Sequence, residues 1–86
     1  MFYYVYILEN KHDGTWYTGF TEDIKQRIKD HNSGKGGKTT RQKIGWKIIY
    51  CEAYLNKQDA LGREKFLKGG SGKKYLKKQL KNYLAT

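Results

Sequence analysis

Five residues carry side chains suited to handling a charged group and moving a proton: Tyr6, Tyr17, Arg27, His31 and Glu64. Three of them fall in the stretch YTGFTEDIKQRIKDHN, residues 17 to 32. Arg27 and His31 stand one helical turn apart, so a helix presents both on one side. A guanidinium offers directed N–H donors to an oxyanion. An imidazole can take up or release a proton near neutral pH. A tyrosine beside cations has a lowered pKa and can orient or deprotonate water. A carboxylate such as Glu64 can hold a divalent ion. Each residue alone also has a plain structural explanation. Tyrosines favour strands, Arg27 and His31 suit a solvated helix face, and Glu64 can pair with Lys68 at i, i+4.

The elements that must position these groups can be read along the chain. FYYVYILEN reads as a strand, with Phe2, Tyr4, Tyr6 and Leu8 on one face and Tyr3, Val5 and Ile7 on the other. NKHDG is a turn cluster, and TWYTGF reads as the returning strand of a hairpin. There Thr15, Tyr17 and Gly19 share a face opposite Trp16, Thr18 and Phe20, and Gly19 is expected to bend the chain into the next helix. Thr21 is the expected N-cap, with Glu22 and Asp23 at the positive end of the helix dipole. Ile24 and Ile28 form the apolar stripe of that helix, and Gly34 ends it. A basic, glycine-rich loop, KGGKTTRQK, leads to a third strand, WKIIYCEAY, apolar enough to be placed at the centre of a sheet. Cys51 within it is expected to be a small packing residue.

Asn56 caps a second helix, KQDALGREKFL, with Asp59 at the capping-box position and Ala60, Leu61 and Leu67 on its buried face. Glu64 borders that face. Gly62 costs this helix about 1 kcal/mol against alanine, which points to close packing there. After a glycine pair, Ser71 is the expected cap of a third helix, GKKYLKKQLKNYL, with Leu76, Leu80 and Tyr83 or Leu84 facing inward. The order strand, strand, helix, strand, helix, helix is α+β: a small three-stranded antiparallel sheet flanked by three helices, read as a single domain over residues 1–86.

The charge says what such a domain meets. Eighteen Lys and Arg against eight Asp and Glu give a formal charge of +10 on 86 residues, which suits a polyanionic partner. The loop cations Lys38, Arg41 and Lys43 and the helix lysines Lys73, Lys74 and Lys77 are the candidate nucleic-acid contacts. A single cysteine forms no internal disulfide, and no Cys/His set has zinc spacing. No apolar run has the length of a membrane span or signal peptide, so a cytoplasmic location without membrane insertion is expected. Two glycine–lysine stretches, GKGGKTT and GGSGKK, fail the phosphate-loop pattern, because Asn32 and Leu67 occupy its first glycine position.

YVY at 4–6, YTG at 17–19, Arg27, His31 and Glu64, in that order, resemble the GIY-YIG nuclease family. The likeness covers essentially the whole chain. Tyr4 stands where the family name has glycine, and Thr18 replaces isoleucine. The HN at 31–32, the REK at 63–65 and the basic C-terminal helix resemble the small, stand-alone bacterial members, the UPF0213-like type. The resemblance implies the GIY-YIG fold and an endonuclease that hydrolyses phosphodiester bonds, with DNA repair or recombination as its setting. It implies Glu64 as the ligand of one Mg²⁺ or Mn²⁺, Arg27 at the phosphate, and Tyr6, Tyr17 and His31 handling water and its proton. Which tyrosine acts as base stays open. Two departures bear on the leaving group. Phe20 stands where relatives often have a polar residue, and Ser71 is the nearest polar residue where some carry an asparagine. DNA, branched DNA included, is the expected partner, bound by a monomer or a homodimer. Two other classes compete: a non-catalytic nucleic-acid-binding module on the same fold, and a membrane-surface protein built on the basic C-terminal helix.

Overall fold

A computed structural model describes residues 1–34 and 43–86. Its elements are β1 (Tyr3–Asn10), β2 (Trp16–Thr21), α1 (Ile24–Asn32), β3 (Trp46–Tyr54), α2 (Lys57–Lys68), α3 (Gly70–Gln79) and α4 (Lys81–Leu84). The three strands form one antiparallel sheet in the order β2-β1-β3. The central strand is therefore β1, not β3 as its apolar run suggested. Burial explains the difference: Val5, Tyr6, Ile7 and Leu8 are all fully buried, as befits a strand covered on both faces. β3 is an edge, and Cys51 on it is exposed, so the cysteine is not a packing residue.

The period-2 alternation of β1 splits the core into two halves. Val5 and Ile7 pack with Ala60 and Leu67 of α2 and Leu76 of α3. Tyr6 and Leu8 pack with Trp46, Tyr17 and the Ile24 and Ile28 stripe of α1. The β1–β2 hairpin closes through the Asn10 N–H to Thr15 C=O bond of 2.8 Å, with Gly14 at φ 72°. Pairing Tyr6 with Gly19, and Leu8 with Tyr17, sets the register on which the site depends.

The helix ends depart from expectation in detail. Thr21 still belongs to β2, and its Oγ1 accepts the Asp23 N–H at 3.1 Å. Asp23 is the true N-cap of α1, accepting the Gln26 N–H at 3.1 Å. Asn56 caps α2 as read, accepting from the Gln58 and Asp59 N–H groups at 2.9 and 3.3 Å. The C-terminal helix begins at Gly70, without a side-chain cap at Gly69, and breaks at Leu80 into α3 and the one-turn α4. The helix glycine with a packing role is not Gly62, where a Cβ would meet open space. It is the buried Gly72, where a Cβ would lie 2.5 Å from the Leu67 Cα at the α2–α3 crossing.

Candidate active site

Gly19 lies inside β2 and is not the bend into α1. Its place is dictated by its cross-strand partner. The end of the Tyr6 side chain lies against it, and a Cβ at Gly19 would strike the Tyr6 Cζ and Oη and come within 2.9 Å of the Tyr17 ring. The missing side chain is what lets the Tyr6 phenol cross β2. Beyond the glycine, the Tyr6 hydroxyl meets His31 Nε2 at 2.9 Å. The Tyr17 ring centroid is 4.9 Å from that of His31 and 6.4 Å from that of Tyr6. One turn before His31 on α1, the half-buried Arg27 guanidinium is close enough to Tyr6 and Tyr17 for both phenols to act on its charge. Its Nη1 is also 4.0 Å from Asp30.

Glu64 comes from the opposite layer. Its side chain is 19% exposed, and its charge is felt at the Tyr6 hydroxyl. Its Oε2 is 3.4 Å from Lys68 Nζ, so the i, i+4 pair read from the sequence is present in the fold. Tyr6, Tyr17, Arg27 and His31, from β1, β2 and α1, thus gather in one region, and Glu64 of α2 reaches it through its charge alone.

The electrostatics correct one expectation. Burial, above all, pushes the Tyr6 phenol up to about 12, with Tyr17 and Glu64 adding to the rise and Arg27 opposing it. Tyr6 therefore does not have the lowered pKa expected of a tyrosine beside cations; it stays a phenol at neutral pH. Burial, then the nearby Arg27 charge, holds His31 down at about 4 against a modest pull from Asp30, so its imidazole is neutral. Burial works against the charge of Arg27, but its contacts with Tyr6 and Tyr17 outweigh that and raise its pKa.

Among the described residues no group of three or more His, Cys, Asp or Glu could hold a metal ion. Glu64 by itself still fits a weakly held hard cation. Mg²⁺ commonly takes one or two protein carboxylates and completes its shell with water and phosphate oxygens.

The candidate nucleic-acid contacts are scattered. Lys38 and Arg41 lie outside the described residues. Lys43 is held against the hairpin turn, 2.8 Å from Asp13 Oδ2 and 5.9 Å from the Trp46 ring centroid. Lys73, Lys74 and Lys77 are exposed on α3. Lys73 and Lys77 line a groove of about 410 Å³ with Glu9 and Trp16, away from the Tyr6–His31 cluster. Phe20 also finds its reason here. It stacks on Tyr3 with centroids 6.1 Å apart, in the core half opposite the site. Ser71 is exposed in the first turn of α3.

One positioning residue was missed. The Asn32 side chain accepts the Trp46 N–H at 2.7 Å and donates to the Trp46 C=O at 2.9 Å. It pins the end of α1 to the start of β3 and so holds His31 over Tyr6. The HN pair carried that signal, but the partner lies 14 residues away across a loop.

Comparison with known proteins shows the family to which the fold belongs. The family model described as the GIY-YIG catalytic domain matches residues 2–80. A UPF0213 protein of Streptococcus agalactiae serotype V is 48% identical over 65 residues, covering 76% of this chain and 73% of its own. A UPF0213 protein of Streptococcus pyogenes serotype M5 is 39% identical over 83 residues, 96% of this chain and 85% of its own. The solution NMR structure of the UPF0213 protein BH0048 from Bacillus halodurans superposes with a TM-score of 0.54 at 44% identity, over 88% of this chain and 82% of that one.

Proposed function

The chain belongs to the GIY-YIG nuclease family, and on that premise we propose that it is a metal-dependent endonuclease hydrolysing DNA phosphodiester bonds, with residues 1–86 forming one catalytic domain. The observation that supports this most is the convergence over Gly19 of Tyr6, Tyr17, Arg27 and His31, with the Glu64 carboxylate in electrostatic reach.

Each residue then has a role suited to its surroundings. Arg27, a cation held beside two phenols, neutralises the scissile phosphate with directed N–H donors. Tyr17 is half-buried and Tyr6 fully buried, so Tyr17 is the tyrosine that can touch the attacking water. Tyr6 stays protonated and is hydrogen-bonded to Nε2 of the neutral His31. A proton arriving at the Tyr6 oxygen can be matched by one leaving to that nitrogen, which makes the pair a short relay. Glu64 would hold Mg²⁺ or Mn²⁺, which supplies charge neutralisation at a phosphate oxygen when bound. The formal charge of +10 suits recognition of DNA structure and backbone, in a setting of repair or recombination.

A nicking assay on linear and branched DNA with Mn²⁺ tests this. Metal-dependent cleavage is expected, falling at least about 100-fold in Glu64→Ala. Cleavage that survives the substitution unchanged would remove Glu64 from the metal role. Salt-sensitive binding with no cleavage of any substrate would favour the non-catalytic binding module.

A further inference from the structure

α2 is seated on the sheet by few side chains. Ala60 and Leu67 are its fully buried residues, and Gly62 between them is exposed. The line joining Ala60 to Leu67 passes between Arg63 and Glu64, each three residues from one and four from the other. Those two residues therefore flank the buried seam on opposite sides. A seam of two fully buried residues fixes the distance of the helix from the sheet better than its rotation about its own axis.

Arg63 supplies the rotational restraint. Its Nε and Nη2 donate to the two carboxylate oxygens of Glu52 on β3, at 2.8 and 3.0 Å. Oε1 of Glu52 also accepts the Tyr54 hydroxyl at 2.7 Å, and Oε2 accepts the Tyr50 hydroxyl. The guanidinium lies 4.6 Å from the Tyr75 ring centroid and 5.0 Å from that of Phe66. Each oxygen of Glu52 is used twice, so this carboxylate is committed to holding and has no site left for an ion. A planar fork of this kind has a defined orientation that a lysine cannot reproduce.

We propose that the Arg63–Glu52 fork is a positioning device that fixes the rotation of α2 and so aims the Glu64 carboxylate at the Tyr6–Arg27 cluster. This rests on the reading of Glu64 given above. A helix with its side chains is roughly 10–12 Å across, so a rotation of about 20° carries a peripheral carboxylate roughly 2 Å. Misplacement by about 1 Å at a reacting centre costs on the order of 100-fold in rate. A fork that merely stabilised the fold would lower the melting temperature and leave the site unchanged.

The test uses Arg63→Lys, which keeps the charge and loses the fork, and Glu52→Gln, which keeps the shape and loses the pairing charge. Leu80→Ala, in the α3–α4 break, serves as a stability control outside α2 and the fork. In whichever fork variant folds by circular dichroism, kcat for nicking is expected to fall about 10- to 100-fold with KM for DNA nearly unchanged. Mn²⁺ binding to the DNA-free protein, read by electron paramagnetic resonance, is expected to weaken, while Leu80→Ala keeps wild-type values. Wild-type kcat and Mn²⁺ affinity in folded fork variants would overturn the proposal. If the wild type itself neither binds Mn²⁺ nor cuts DNA, the nuclease reading fails separately. The fork is then judged by the crystal structure of Arg63→Lys, where an unmoved Glu64 overturns it and a rotated α2 upholds it.

Discussion

At the residue scale, the site works by burial as much as by charge. His31 is fully buried, and its pKa of about 4 lies below the ordinary 6.5. The unfolded chain takes up this proton below 6.5, whereas the folded protein does so only near 4. Stability is therefore fully present above pH 6.5 and is lost as the pH falls toward 4, by about 3 kcal/mol across the window. Urea unfolding at pH 7.5 and 4.5 should show this loss in the wild type and a smaller one in His31→Phe. Equal losses in both would mean that His31 is already charged in the fold. Lys68 bears on the same region. Its ammonium stands 3.4 Å from Glu64, where a divalent ion must bind if the nuclease reading holds. Lys68→Met is then expected to tighten Mn²⁺ binding by about 2- to 5-fold, the modest effect of an exposed pair. Weaker binding in that variant would show that Lys68 assists the ion and does not compete with it.

At the element scale, three glycines carry three different consequences. Gly19→Ala drives a methyl group into the buried Tyr6 phenol, which its bond to His31 keeps in place. The expected cost is about 1–3 kcal/mol of stability together with loss of cleavage. Gly72→Ala pushes against the backbone of α2 at Phe66 and Leu67, which cannot yield as a side-chain tip can. It should destabilise at least as strongly and loosen the α2–α3 crossing. Gly62→Ala meets nothing within 4 Å and should stabilise by about 1 kcal/mol through helix propensity alone. Thermal unfolding of the three variants checks the order, and a destabilising Gly62→Ala would contradict the exposed placement of that helix face. These differences were invisible in the sequence, because a glycine records the absence of a side chain but not what occupies the space.

At the scale of the whole molecule, the formal charge of +10 sets how DNA is held. Binding should weaken linearly in log salt, and each of Lys73, Lys74 and Lys77 changed to Gln should reduce that slope by about 1 if it contacts phosphate. An unchanged slope would leave those lysines as solubilising charge. Local chemistry made much of the fold legible in advance. Alternating side chains named the two faces of β1 and β2, and the helix periodicities and the Asn56 cap were readable within a few residues of chain. The candidate set was picked out in the same way, from residue types and order in YVY, YTG, Arg27, His31 and Glu64. The tertiary structure alone decided the rest. It put β1 at the centre although β3 is nearly as apolar, since sheet order depends on which strand both helical layers can cover. It turned Gly19 from a presumed bend into the floor beneath Tyr6, raised the pKa of that phenol where nearby cations suggested lowering, and joined Arg63 to Glu52 across 11 residues. Each of these outcomes comes from contacts between elements. The sequence determines which groups are present and which faces they share; packing determines what lies opposite them, and with it their charge state and aim.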